Sequence, residues 1–221
     1  IGVAEAAFQH ATDYALNRKQ GKATVPNAHG TIIDHADVRR MLISMRADIF
    51  ASRSLELENA KAIDMANATE EIEWVNRAAF LTPITKVFGT EIGVNISYLG
   101  VQIHGGMGFI EETGAAQFSR DVRVTAIYEG TNGIQAMDLV GRKMMDNGET
   151  AYAIINEIKE YIDNLSIMKK DLAELVAIAN ETLRETVDYF RSRKDVSDRF
   201  GGAMPFLMGY ARVLGGFYHL K

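Results

Sequence analysis

Apolar residues recur every three or four positions along most of the chain, and sustained alternation with a period of two is missing. This spacing is typical of amphipathic helices, in which 3.6 residues make one turn. Only three prolines occur in the 221 residues, so few helices should be interrupted. The pattern therefore predicts an all-α protein.

The first part of the chain carries three long helical patterns. The first runs from about residue 2 to residue 20, and Asp34 or Asp37 can cap the second, which reaches about residue 65. "NATE", residues 67–70, resembles a capping box for the third, which Pro83 should bend or break and which stops at "HGGMGF". In the second helix Glu56 and Glu58 should face solvent, and these residues should be buried: Val38, Met41, Leu42, Met45, Ile49, Ser52 and Leu55.

Residues 130–145 supply a fourth helix, and an up-down four-helix bundle is the natural way to bury four such stripes. The composition turns polar near residue 146, and Gly148 breaks the pattern. We therefore place one domain at residues 1–145 and a second, smaller helical extension at residues 146–221. The extension should contain a helical hairpin and a buried helix.

Composition narrows the function further. Hydrophobic residues make up 47% of the chain, enough for a buried core, and the net charge is -5, from 24 basic and 29 acidic residues. Neither a nucleic acid nor an anionic bilayer is expected to bind such a surface, and no membrane span is predicted. The chain begins without an initiator Met or a helix cap, so we expect it to start inside a longer protein.

The segment "QIHGGMGF", residues 102–109, places three glycines directly after a helix. Clustered backbone amides suit a phosphate or the edge of a flavin, because glycine lets the ligand approach closely. A glycine cap followed by a turn is the simpler interpretation of the same residues. Arg18, at the end of the first helix, is open to two interpretations as well, a complement to the helix dipole or a phosphate clamp.

Glu129 stands in "YEGT", where a helix begins. A carboxylate there can be a capping charge worth about 0.3 to 1 kcal/mol. It can also be a general base: Tyr128 would exclude water, Gly130 would let a substrate approach, and the Thr131 hydroxyl would hold a cofactor. Since a desolvated carboxylate binds protons more tightly, we expect Glu129 to be shielded from water. No histidine lies three residues after a glutamate, so a buried metal site is not predicted.

The motifs "ALNRKQGKA" and "YLGVQIHGGMGFIEETGAAQFSRDVRVTAIYEGTNGIQAMDLVGRK", in this order, closely resemble the C-terminal all-helical domain of acyl-CoA dehydrogenases. The resemblance spans about residues 1–145, and the tail with "MPFLMGYARVLGG" looks like the extra C-terminal helical extension of a longer subgroup. The family implies an FAD enzyme that converts a fatty acyl-CoA to a trans-2-enoyl-CoA. Its YEGT glutamate, here Glu129, takes the α proton while the β hydrogen leaves as a hydride to the flavin.

The resemblance also implies site residues and partners. Tyr128 and Gly130 would contact the substrate, and the cofactor-binding residues would be Arg18, Gln20, Gln102, His104, Gly105, Gly106 and Thr131. The partners would be acyl-CoA, electron-transfer flavoprotein as electron acceptor, and further copies of the chain in a dimer or tetramer. The family's N-terminal helical domain and middle β-barrel domain are absent from these 221 residues, so we expect the chain alone to hold no flavin stably.

Two other functions stay open on these residues. One is a non-catalytic helical oligomerisation module, and the other is an acyl-CoA oxidase on the same fold. The expected location is the cytoplasm of a bacterium, or the mitochondrial matrix if the source is eukaryotic.

Overall fold

The computed structural model describes residues 1–26, 28, 30–165 and 170–221. Its helices are α1 (Gly2–Asn17), α2 (Ala36–Thr69), α3 (Ile72–His104), α4 (Gly106–Phe109), α5 (Ala115–Asp121), α6 (Asn132–Asp138), α7 (Glu149–Asp163), α8 (Lys170–Ser192) and α9 (Val196–Leu220). Short 3-10 turns lie at Ile32–Asp34, Glu111–Thr113 and Val122–Ala126, and a π-helical turn lies at Leu139–Lys143. The described residues include no strand, which confirms the predicted all-α fold.

The buried stripe of α2 follows the predicted spacing. Six of its seven residues are buried and Val38 is half-buried. α3 continues through Pro83 to His104, so the helix has no break at the proline, and it ends at the glycines as expected. The prediction that Glu58 faces solvent is wrong. Its side chain is only 15% exposed and pairs with Arg77.

The helix boundaries differ from the sequence patterns in three places. α1 ends at Asn17, three residues early, because the backbone of Arg18 is extended. Asp34 is buried and accepts a hydrogen bond from the Gly30 amide at 2.9 Å; it closes the preceding loop, and α2 begins only at Ala36. α2 also continues through the expected capping box to Thr69. Asp34 was wrong as a cap because a side chain that can cap a helix can equally bond a nearby loop.

The described residues divide into two compact units. The first comprises residues 1–50 and 89–128, and the second comprises residues 51–88 and 129–221. The core of the first unit includes one face of α1, namely Ala4, Ala7, Ala11 and Ala15. In this unit Gly93 lets α3 approach Val122, since a Cβ at Gly93 would lie 2.9 Å from Cγ2 of that residue.

The second unit contains the tail helices α7, α8 and α9, as their apolar spacing predicted. Ile155 of α7, Val187 of α8 and Leu207 of α9 are each completely buried. Tyr210 of α9 is also buried, and its hydroxyl donates a hydrogen bond to the carbonyl of Ala151 in α7 at 2.8 Å. In the part of the chain that the structure describes, no helix is long and apolar enough to cross a membrane.

Candidate active site

A cavity of about 420 Å³ in the first unit brings together five of the residues that the sequence assigned to a cofactor. They are Arg18, Gln20, His104, Gly105 and Gly106. Tyr14, Ile32, Ile103 and Met107 complete the lining. The volume falls within the range of small-molecule sites, about 300 to 1,000 Å³. Gln102, the sixth candidate in this unit, is exposed and lies outside this lining.

The backbone after α1 is fixed where it passes the cavity. The carbonyl of Arg18 accepts a hydrogen bond from the Ile32 amide at 2.8 Å. The carbonyl of Gln20 lies 2.8 Å from Nε2 of His35, which must donate because a carbonyl oxygen only accepts. The side chains of Arg18 and Gln20 are thus presented at the cavity from a segment held at two points.

The structure places different constraints on the three glycines after α3. Gly105 has a φ of 60° and a ψ of -137°, a conformation that side chains disfavour. A Cβ on Gly108 would lie 2.4 Å from the carbonyl oxygen of Val101, so packing excludes one. A Cβ on Gly106 would meet nothing within 4 Å. The fold of this unit therefore requires Gly105 and Gly108, whereas Gly106 leaves open space beside the cavity.

His104 is the buried polar residue of the cavity wall, with 4% of its surface exposed. Its Nδ1 lies 2.7 Å from the carbonyl oxygen of Gly100, so Nδ1 carries the proton and Nε2 of the neutral ring is an acceptor. Nε2 has no hydrogen-bond partner among the described residues. The ring stacks on His10 at 4.7 Å and on Tyr14 at 4.2 Å. Burial lowers the pKa of His104, against the hydrogen bond to Gly100, and the charge of His10 lowers it further.

The "YEGT" turn belongs mainly to the second unit, where it leads into α6. Glu129 and Gly130 have φ values of 56° and 84°, and a left-handed conformation costs a residue other than glycine roughly 1 to 2 kcal/mol. Gln135 Nε2 donates to the carbonyl of Glu129 at 2.9 Å, and Lys86 Nζ donates to the carbonyl of Gly130 at 2.8 Å. Thr131 caps α6, since its Oγ1 accepts a hydrogen bond from the Ile134 amide at 3.4 Å.

The expected shielding of Glu129 is wrong for this chain. Glu129, Gly130 and Thr131 are all exposed. An aromatic neighbour keeps water from a carboxylate only if the ring packs over it, and Tyr128 is itself 54% exposed. The carboxylate is therefore open to solvent within the described residues.

Three residues around these features were missed from sequence. Tyr14 lies four residues before Arg18, whose amide donates a hydrogen bond to the Tyr14 carbonyl at 2.9 Å, so this spacing at the end of α1 was a usable signal. Lys86 and Gly130 are 44 residues apart, and no local sequence pattern predicts such a contact. Gln135 lies six residues after Glu129, but nothing in the sequence predicts that its side-chain amide bonds that carbonyl.

The sequence model of the family described as "Acyl-CoA dehydrogenase, C-terminal domain" matches residues 1–145 of this chain. The chain therefore belongs to that family.

The 3-methylmercaptopropionyl-CoA dehydrogenase of Ruegeria pomeroyi is 41% identical over 219 residues, which cover 94% of this chain and 37% of the relative. Subunit CarC of the caffeyl-CoA reductase-Etf complex of Acetobacterium woodii is 35% identical, covering 64% of this chain and 33% of that protein. Among solved structures, Caenorhabditis elegans ACDH-11 in complex with C11-CoA superposes with a TM-score of 0.82 at 21% identity, over 99% of this chain and 37% of that one. The chain thus spans about a third of the length of these relatives.

Proposed function

We propose that this chain is the C-terminal part of an FAD-dependent acyl-CoA dehydrogenase, which converts a fatty acyl-CoA to a trans-2-enoyl-CoA. The observation that carries the proposal is Glu129, held with a left-handed backbone at the start of α6 in a chain of this family. Backbone strain at a residue other than glycine persists only where the surroundings enforce it, and it clusters at functional sites. In this proposal residues 1–145 form one domain and residues 146–221 form a smaller helical extension.

Glu129 is the residue that removes the α proton. A carboxylate in water is too weak a base for this proton, so the reaction needs a dry carboxylate and a stabilised thioester carbonyl. The exposed Glu129 turn supplies the carboxylate, and its backbone amide is the donor for the thioester oxygen. Tyr128 and Gly130 lie beside the substrate. Water is excluded by the bound acyl-CoA and by parts of the protein that these residues do not include.

The lining of the cavity in the first unit suits part of a dinucleotide. The Arg18 guanidinium offers charged donors for a phosphate, Gln20 offers an amide, and Gly105 and Gly106 leave room beside the backbone. His104, Gln102 and the Thr131 hydroxyl complete the proposed cofactor-binding set. When bound, FAD accepts the hydride that leaves the β carbon of the substrate.

The partners follow from the same proposal. Electron-transfer flavoprotein reoxidises the enzyme, and the relationship to a protein named as part of an Etf complex supports this. Self-association into a dimer or tetramer is supported by exposed apolar residues on α8, where Leu175 and Ile178 are 65% and 67% exposed. The bacterial origin of both relatives supports a bacterial cytoplasm as the location.

The decisive experiment replaces Glu129 in the complete flavin-loaded protein. Glu129→Gln keeps the shape of the side chain and removes the base, so kcat should fall by about 10² to 10⁴, while the flavin absorbance stays. Glu160→Gln, on the exposed surface of α7, is the matched control and should keep full activity. Turnover by Glu129→Gln within about twofold of the parent would show that another residue takes the proton.

A further inference from the structure

A lysine of α3 is bonded to the turn that carries Glu129. Nζ of Lys86 donates hydrogen bonds to the carbonyl of Gly130 at 2.8 Å and to Oδ1 of Asn132 at 2.7 Å. Asn132 is the first residue of α6 and is 6% exposed. An ammonium group has three donor hydrogens, so one lysine can hold both acceptors. Bonds from a charged donor are also shorter and stronger than those between neutral groups.

These bonds act where the backbone of the turn is least favourable. Glu129 and Gly130 are consecutive residues with positive φ. Side chains bind the carbonyls of these same two residues, Gln135 at Glu129 and Lys86 at Gly130. Because a carbonyl oxygen lies in the plane of its peptide, the two bonds restrain the two peptide planes on either side of Gly130.

Lys86 is attached to a buried part of the second unit. Its neighbours Ile84, Val87 and Phe88 are buried to at least 99%. Gln135 lies only six residues from Glu129 and moves with the turn, whereas Lys86 lies 44 residues before Gly130. Of these two side chains, therefore, Lys86 is the one that ties the turn to the core.

Resting on the function proposed above, we propose that Lys86 is a positioning residue for Glu129. Its ammonium group holds the left-handed turn in one conformation, so that the carboxylate is already placed when acyl-CoA binds. A functional group must be held within about 0.5 Å of its productive position. Lys86 bonds to the backbone of Gly130 and the side chain of Asn132, and it acts on the reaction through the turn that carries Glu129.

The test compares Lys86→Met with Lys159→Met in the complete flavin-loaded protein. Both changes replace an ammonium group by a thioether, but Lys159 is an exposed residue of α7 that bonds Asp163. In Lys86→Met, amide hydrogen exchange at residues 130–135 should be roughly tenfold faster, because the turn has lost its tie to the core. The kcat should fall by about tenfold to a hundredfold while KM stays within about twofold, because the base is misplaced and substrate binding is retained.

Lys86→Arg provides the rescue. Arginine keeps the charge and several donors, so exchange and kcat should lie between those of the parent and of Lys86→Met. If Lys86→Met does not fold, Lys86→Arg is compared with the parent alone: faster exchange at the turn with a lower kcat supports the proposal, and faster exchange with an unchanged kcat overturns it. Unchanged exchange at the turn in a folded Lys86→Met would overturn the proposal, and so would faster exchange with an unchanged kcat. The role of Glu129 is tested separately by Glu129→Gln, so an active Glu129→Gln refutes the base while the exchange data still report on the turn.

Discussion

Arg77 donates a hydrogen bond from Nη1 to Oε2 of Glu157 at 2.7 Å, and its Nη2 lies 3.2 Å from Oε1 of Glu58. The three residues come from α3, α7 and α2, so one guanidinium links three helices of the second unit. Burial lowers the pKa of Arg77, but the hydrogen bond and charge of Glu157, together with the charge of Glu58, outweigh it and leave the pKa raised. The guanidinium of Arg77 therefore stays charged.

Replacing this arginine should destabilise the protein. Arg77→Met would leave Glu58, whose side chain is 15% exposed, with only the longer contact to Lys61 Nζ at 4.0 Å. We expect a loss of about 2 to 3 kcal/mol in the free energy of unfolding, below the value for a fully buried pair because Glu157 is 40% exposed. Urea unfolding measures the loss. Arg40→Met, which breaks a pair with both side chains more than 60% exposed, is the control and should cost less than about 0.5 kcal/mol. Equal losses in the two variants would contradict a structural role for Arg77.

Tyr210 makes a second link inside this unit. Its buried hydroxyl donates to the carbonyl of Ala151, while its ring meets Phe80 edge to face at 5.0 Å. Burial raises the pKa of Tyr210, so the hydroxyl keeps its proton at neutral pH. Tyr210→Phe should preserve the ring contact and lose the hydrogen bond, at a cost of about 1 kcal/mol. Thermal unfolding is the measurement, and Tyr189→Phe, on a half-exposed ring of α8, should leave the midpoint unchanged. A midpoint for Tyr210→Phe that equals the parent's would show that the bond adds nothing.

His104 makes stability depend on pH. Its pKa is lowered from about 6.5 in the folded protein, chiefly by burial. As the pH falls below 6.5, the unfolded chain therefore takes up a proton that the folded chain does not. The free energy of unfolding should fall between pH 7 and pH 5, and the fall should be smaller in His104→Gln. Urea titrations at several pH values measure it, with His219→Gln as a control at an exposed histidine. The same slope in His104→Gln as in the parent would assign the effect to other groups.

The helices were predictable because their evidence is local. A stripe such as Met41, Met45, Ile49 and Leu55 repeats in sequence whatever surrounds it. Glu58 was misplaced for the opposite reason, since its partner Arg77 is 19 residues away and only the packing of α2 on α3 brings them together. The capping box at residues 67–70 failed because α2 continues through it to Thr69, whose hydroxyl bonds the carbonyl of Met65 at 2.9 Å.

In the candidate site, too, some features were predictable from local sequence and others were not. Arg18, His104, Gly105 and Gly106 could be named from motifs in fixed order, and the fold places them around one cavity. The conformation of Glu129 could not be predicted, because its positive φ occurs in a turn whose two side-chain bonds, from Gln135 and Lys86, no local pattern predicts. Its exposure could not be predicted either, since the adjacent Tyr128 does not determine which surfaces pack over the carboxylate.

Substitutions at Gly106 and Gly108 should distinguish a role in binding the cofactor from a role in packing. Gly108→Ala would place a Cβ 2.4 Å from the carbonyl oxygen of Val101, and the resulting overpacking should cost about 1 to 3 kcal/mol of stability. Gly106→Ala adds a Cβ with nothing within 4 Å, so its unfolding midpoint should stay at or slightly above that of the parent. If part of the cofactor occupies this space, flavin binding to the complete protein should be at least about tenfold weaker in Gly106→Ala, because backbone and ligand could no longer approach closely. Unfolding scans and flavin titration of both variants measure this, and unchanged flavin affinity in a stable Gly106→Ala would remove Gly106 from the proposed binding set.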